Sequence, residues 1–280
     1  MRPILPKPYD LTGRTALITG AGGLLGRQHA AALAETGAFV VLSDLNEASA
    51  ADAAVFVKEI VPKATCMAAA LDVCQAASIA ALNERLTRDG RGVGILVNNA
   101  AIDPKVTSAA GLMHASRFEG FALDQWNLEI AVGLTGAMLC AQVFGAAMAE
   151  RGDGVILNIA SDLGVIAPDQ RLYRQDNVTA EAEQPVKPVT YSVIKHGLVG
   201  LTKYLATYWA DKGVRVNALS PGGVFNGQPD AFTERLHRLI PMGRMAHKDE
   251  YRSIVQFLCS DASSYMTGQN IVMDGGRSVW

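Results

Sequence analysis

The stretch Arg14-Thr15-Ala16-Leu17-Ile18-Thr19-Gly20-Ala21-Gly22-Gly23-Leu24-Leu25-Gly26-Arg27 decides the fold. Its first six residues form a short β-prone run that stops at the glycines. Arg27 to Thr36 then reads as an Ala-rich helix closed by Gly37. Strand, glycine turn and helix in that order make a nucleotide site of what would otherwise be only a tight turn. Glycine lets the chain turn sharply and lets a pyrophosphate approach the backbone. The helix N-terminus offers unpaired N–H groups and a positive dipole end. Gly20, Gly22, Gly23, Leu25 and Gly26 are therefore candidate cofactor contacts.

The next apolar run, Phe39 to Ser43, ends at Asp44 and Leu45. A carboxylate about 20 residues beyond the glycines, at a strand's C-terminal end, suits the hydroxyls of an adenosine ribose. It also repels a 2′-phosphate, by roughly 1 to 4 kcal/mol for unit charges about 4 Å apart. Neither Arg nor Lys stands within the glycine turn or directly beside Asp44. The expected cofactor is NAD, with NADP disfavoured.

Further along, Tyr191 and Lys195 stand four residues apart at the start of an apolar helical stretch, which puts phenol and ammonium on one face. A free tyrosine, with a pKa of about 10, is a poor base at neutral pH, and a nearby cation favours its phenolate. The pair suits proton transfer at a carbinol or carbonyl oxygen. Taken alone the spacing proves little, because Tyr-x-x-x-Lys occurs often on exposed helix faces.

Strands are expected near Arg14–Thr19, Phe39–Ser43, Thr65–Leu71, Ile95–Asn98, Gly154–Ala160, Val214–Leu219 and Asn270–Met273, with helices between them. That alternation describes an α/β fold of Rossmann type, a doubly wound, parallel, seven-stranded sheet. The 280 residues suit a single domain spanning 1–280. A net charge of −2 and the lack of a basic stripe argue against nucleic acid. No apolar run reads as membrane-spanning, and Met1 to Pro6 lacks a signal-peptide core. Cys66, Cys74, Cys140 and Cys259 show no metal or redox spacing, so a reducing cytoplasm and no metal are expected.

With these motifs in this order, the chain resembles the short-chain dehydrogenase/reductase family over nearly all its length. Asp72-Val73 matches the family's adenine-binding pair. Asn98-Asn99-Ala100 matches its Asn-Asn-Ala-Gly strand end, with Ala101 in place of the glycine. Ser161 in Ala160-Ser161-Asp162-Leu163-Gly164 matches the catalytic serine. Pro221, Gly222, Val224 and Asn226 match the segment after the sixth strand, and Tyr265 to Gly276 the final loop and strand. The resemblance implies that Ser161, Tyr191 and Lys195 are catalytic. It adds Asp72, Val73, Asn99, Ala100, Tyr191, Lys195, Pro221, Gly222, Val224 and Asn226 to the cofactor contacts. It also implies a homodimer or homotetramer built on the helices near Trp126–Arg151 and Tyr191–Lys212.

Three departures stand out. Leu24 replaces a turn glycine, so it needs an ordinary backbone, and Gly22 or Gly23 must give the close approach. Gly133 stands where the family has a catalytic asparagine. Its carbonyl is expected to keep a relay water, a local kink is expected, and Asn at 133 is expected to be tolerated. Finally, an insertion of about 168–188 separates Ser161 from Tyr191. It reads either as a lid, with Arg171 and Arg174 meeting a substrate anion, or as a solvated excursion.

The C-terminal half is similar to oxidoreductases called flagellin-modification protein A, which points to a sugar or sugar phosphate of surface-glycan synthesis. Ser161, Asp162, Arg171 and Arg174 are the expected substrate contacts. A 3-oxoacyl thioester reductase or another small-alcohol dehydrogenase is the alternative, and a non-catalytic dinucleotide-binding protein a remote one.

Overall fold

A computed structural model describes residues 7–102, 116–176 and 178–280. Seven strands form one parallel sheet: β1 (Thr15–Thr19), β2 (Phe39–Asp44), β3 (Cys66–Ala70), β4 (Val93–Asn98), β5 (Gly154–Ile159), β6 (Val214–Pro221) and β7 (Asn270–Met273). Their spatial order is β3-β2-β1-β4-β5-β6-β7. The expected strands are all present, with ends that differ by one or two residues: β2, β4 and β6 are longer than expected, and β1, β3 and β5 shorter. β4 begins early because Val93 pairs with Thr15, and β6 runs on to Pro221, opposite Met273.

The helices are α1 (Leu24–Glu35), α2 (Glu47–Ile60), α3 (Ala76–Arg88), α4 (Leu123–Arg151), α5 (Val189–Tyr208), α6 (Asp230–His237) and α7 (Arg252–Cys259). The strands are apolar on both faces, as a sheet covered on both sides requires. Alternation along each strand sends Ile18, Leu42 and Ile95 toward α1, α2 and α7, with Leu33, Val57 and Val255. It sends Leu17, Val41 and Leu96 toward α3, α4 and α5, with Ile79, Phe144 and Leu205.

α4 contains two wider π turns, Ala131–Thr135 and Ala141–Gly145. The first is centred on Gly133, where a kink was expected. This helix corrects the reading that no apolar run reaches membrane-spanning length. It is 29 residues long and contains an 18-residue stretch of mean hydropathy 1.7, though only by length and composition does it qualify. Cys140, Phe144 and Met148 are fully buried against the sheet, which accounts for much of its apolar character.

The strand order reverses between β1 and β4, although the two strands are parallel, and this opens the crevice where ligands of such sheets bind. The glycine turn, Asp44, Asn99, Ser161 and Pro221 all stand at or just past the C-terminal ends of strands.

Candidate active site

At the glycine turn, Gly20 has a φ of +62°, which a side chain would resist. Gly26 must be glycine for space, since a Cβ there would lie 2.4 Å from the Gly20 carbonyl oxygen. Leu24 opens α1, and no non-glycine among the described residues has a positive φ. Gly22 is held to glycine by its neighbours, since a Cβ there would lie 2.7 Å from Ser49 Cβ and 3.0 Å from Asp44 Oδ2. The α1 N-cap is Gly23, with no side-chain cap bond, so the first turn keeps its N–H groups for a phosphate. The glycine turn and these uncapped N–H groups fit a dinucleotide.

Asp44 is already engaged. The Gly22 N–H donates to Asp44 Oδ2 at 3.0 Å, and Leu45 beside it is exposed. Arg27 Nη2 donates to the Gly22 carbonyl oxygen at 2.7 Å, and its guanidinium lies 5.5 Å from the Phe56 ring centroid. Arg27 escaped the sequence reading because it follows the glycines. The helix's first turn folds it back onto them, so a cation stands at the turn after all.

Asn99 braces this site with its side chain. Its Nδ2 donates to the carbonyl oxygens of Thr19 and Gly20, each at 3.0 Å, and its backbone N–H to Thr19 Oγ1 at 3.0 Å. Asp72 Oδ1 accepts from the Cys74 N–H at 2.9 Å, and Val73 packs against Gly136. The Gly222 N–H donates to the Met273 carbonyl at 3.0 Å, and Val224 bridges to Ala246. The Asn226 N–H bonds Gln228 Oε1 at 2.7 Å.

The second half of the site forms where β5 meets α5. Ser161 is buried at the end of β5, and Lys195, also buried, donates from Nζ to the Ile159 carbonyl at 2.8 Å. The same ammonium lies 5.6 Å from the Tyr191 ring centroid. Gly164 permits this packing, since a Cβ there would come within 2.8 Å of the Lys195 carbonyl oxygen. Lys195 thus joins the end of β5, two residues before Ser161, to the ring of Tyr191 on its own helix.

Several expectations are corrected. Asp162 is no free substrate contact: it is buried and paired with Arg277 at 2.7 Å. Arg171 is exposed and held by Asp169 through two bonds of 2.8 and 2.7 Å. Arg174 is half exposed and paired with Glu181 at 2.6 Å. Gly133 has no room for a side chain, because a Cβ there would lie 2.8 Å from Ile194 Cγ2. Asparagine at 133 therefore requires Ile194, the neighbour of Lys195, to move.

Nor is the insertion a solvated excursion. Leu172 is buried with Leu236, Ile240 and Met245. Tyr173 packs against Phe232 at 5.6 Å between centroids, the rings tilted by 45°, and Arg235 pairs with Asp176 at 3.0 Å. Inside the insertion, Gln184 bonds the N–H and carbonyl of Gln175 and the carbonyl of Val178. Its far end carries the cation that the sequence reading passed over, Lys187, whose Nζ stands 3.8 Å from the Tyr191 ring centroid. The signal was its place four residues before Tyr191. A cleft of about 350 Å³ opens there, lined by Arg117, Phe118, Gln170, Lys187, Val189 and Ser192. That volume is in the range of small-molecule sites, about 300–1,000 Å³. Neither Ser161 nor Tyr191 lines it, so Lys187 is the link between cleft and phenol.

The family described as Enoyl-(Acyl carrier protein) reductase matches residues 20–278. The chain is 32% identical to the D-threitol dehydrogenase of Mycolicibacterium smegmatis, over 97% of this chain and 95% of that one. It is 33% identical to the galactitol 2-dehydrogenase (L-tagatose-forming) of Cereibacter sphaeroides, over 97% and 98%. Among solved structures, a gluconate 5-dehydrogenase from Burkholderia cenocepacia J2315, in complex with NADP and tartrate, superposes with a TM-score of 0.83. It is 29% identical, with 98% of each chain covered. The chain belongs to the short-chain dehydrogenase/reductase family. It is an oxidoreductase that acts on CH–OH groups with a nicotinamide cofactor.

Proposed function

We propose that this chain is an NAD-dependent dehydrogenase that interconverts a secondary alcohol and a ketone on a polyol or sugar. The observation that carries the reading is the buried ammonium of Lys195 beside the Tyr191 ring, next to Ser161 at the end of β5. In the oxidative direction Tyr191 Oη takes the hydroxyl proton as general base, and in reduction it returns that proton. Lys195 favours the phenolate. Ser161 holds the substrate oxygen. The bound nicotinamide supplies the site that accepts or gives the hydride. Asp44 supports NAD, because its carboxylate stands at the glycine turn and repels an added phosphate.

The relatives' printed names support a polyol or sugar. With Arg171 and Arg174 already paired, the sugar-phosphate form of the reading loses its local support. A surface-glycan sugar remains the biological version of the proposal, on the resemblance to flagellin-modification oxidoreductases. We place the protein in the cytoplasm as a dimer or tetramer. Four free thiols and exposed Leu128, Tyr204 and Tyr208 on α4 and α5 favour that placement. The second reading, an acyl-thioester reductase, draws on the description of the matching family.

The test is turnover of D-threitol, galactitol and gluconate with NAD and with NADP, beside acetoacetyl thioester with NADH and NADPH. Tyr191→Phe is expected to abolish turnover while cofactor affinity stays near that of the parent. A Tyr191→Phe protein with near-full turnover removes the mechanism. Activity on the thioester alone removes the substrate class.

A further inference from the structure

The last turn of the chain reaches the catalytic serine. Ser161 Oγ donates to Asp162 Oδ1 at 2.9 Å and accepts from the Leu163 N–H at 3.2 Å. Asp162 Oδ1 also accepts from the Leu163 N–H at 2.8 Å, and Asp162 Oδ2 accepts from Arg277 Nη1 at 2.7 Å. The two charged side chains are 4% and 9% exposed, so this is a buried pair joining positions 115 residues apart in sequence.

Arg277 is itself held firmly. Asp274, just past β7, accepts from the Gly276 N–H at 2.9 Å and from the Ser278 N–H at 2.8 Å. Gly275 and Gly276 take φ of +68° and +91°, which turns the tail back over the sheet's end. Trp280 Nε1 donates to the Leu239 carbonyl at 3.0 Å and fastens the terminus.

We propose that Arg277 is a positioning residue of the dehydrogenase reaction, acting through Asp162 on the hydroxyl of Ser161. The proposal rests on the reading of Ser161 as the residue that holds the substrate oxygen. A serine hydroxyl has one proton and two lone pairs. Here the proton goes to Asp162 and one lone pair to the Leu163 N–H. Tyr191 takes the substrate's own O–H proton, so Ser161 holds the substrate oxygen by turning its hydroxyl proton from Asp162 Oδ1 to that oxygen, while the Leu163 N–H keeps one lone pair in place. Arg277 weakens the hold of Asp162 on that proton, because a buried carboxylate that loses its partner must bind another donor more tightly or give up its charge. The tail thus sets how readily Ser161 turns its proton to the substrate.

The test is a double-mutant cycle with purified full-length protein, NAD, and D-threitol and galactitol as probes. Arg277→Met is expected to lower kcat by about tenfold to a hundredfold, the loss of one charge-assisted contact, and Arg277→Lys to recover most of it. NAD affinity, read by fluorescence titration, stays within about twofold of the parent. In a Ser161→Ala background, Arg277→Met is expected to add less than about twofold, because residues acting through one another are not additive. Multiplicative losses in the two backgrounds would make Arg277 merely structural and overturn the inference. If Arg277→Met does not fold, Asp162→Ser with Arg277→Met removes both charges, and the same cycle is read from that pair. A Ser161→Ala enzyme with parental activity, or a parent inactive on both polyols, sinks the reading of the site, and the inference with it.

Discussion

The ammonium of Lys187, at the end of the insertion, stands 3.8 Å from the Tyr191 ring centroid, closer than that of Lys195 at 5.6 Å. Two cations therefore flank one phenol, one from its own helix and one delivered by a segment that this chain adds before α5. Gln170 Oε1, near the other end of the insertion, accepts the Lys187 N–H at 2.9 Å and so fixes where that lysine enters. Cations on a ring face stabilise it, and cations near a phenol favour the phenolate. Lys187→Met is expected to move the Tyr191-controlled limb of the pH–rate profile upward. It should also lower kcat at neutral pH by roughly twofold to tenfold, with Lys187→Arg close to the parent. An unchanged pH profile in Lys187→Met would mean that the contact is packing only.

The proposed preference for NAD rests on Asp44, which holds the Gly22 peptide from one side while Arg27 holds it from the other. Asp44→Asn retains an acceptor for the Gly22 N–H and removes the charge. NADP affinity is expected to rise by about fivefold or more, the smaller end of the repulsion between close unit charges. Adding Arg27→Ala should reverse much of that gain. Direct titration of the parent is the sharper check, since tighter binding of NADPH than NADH there contradicts the role given to Asp44.

At Gly133, helix propensity and packing oppose each other. Alanine gains about 1 kcal/mol as a helix former, but its Cβ would meet Ile194 at 2.8 Å, and overpacking costs typically about 1–3 kcal/mol. Gly133→Ala is expected to lower Tm and Gly133→Asn to lower it further, with loss of turnover as Ile194 shifts beside Lys195. Combining Gly133→Ala with Ile194→Val should restore part of both. A Tm for Gly133→Ala equal to or above that of the parent shows that the π turn absorbs the side chain.

Leu172 anchors the insertion on α6 and the residues after it, through Leu236, Ile240 and Met245. Truncating a buried leucine costs about 2–5 kcal/mol, here concentrated on a local cluster. Leu172→Ala is expected to expose segment 168–188 to limited proteolysis and to raise KM more than it lowers kcat. NAD affinity should not change. Cleavage no faster than in the parent argues that Tyr173–Phe232 and Arg235–Asp176 hold the insertion without it.

His29 lies fully buried in α1, and neither ring nitrogen has a hydrogen-bond partner. Burial holds its pKa at about 4, below the ordinary 6.5. Between those two values the unfolded chain binds a proton that the native protein does not. Stability is thus fully present above about pH 6.5 and falls as pH is lowered toward 4, by up to roughly 3 kcal/mol. Melting curves across that window are expected to slope less steeply for His29→Leu than for the parent. Parallel slopes would assign the acid limb to other groups.

What the sequence determined by itself was whatever repeats or stands close along the chain. Alternating apolar residues in Leu17-Ile18 and Val40-Val41-Leu42 set two covered sheet faces. The glycines before α1 and the four-residue step from Tyr191 to Lys195 put chemistry at a strand end and on one helix face. Composition does not tell which polar groups of the insertion are already engaged: Arg171 and Arg174 are paired with Asp169 and Glu181, while Lys187 reaches Tyr191. Tertiary structure alone decided that Asp162 faces Arg277, that Arg27 returns to the glycine turn, and that Ile194 closes the space at Gly133. Strand and helix periods depend on neighbours a few residues apart, so they are written locally. Whether a charge is paired or a cavity filled depends on sheet register and on helices packed from distant parts of the chain, and these exist only once the whole core has closed.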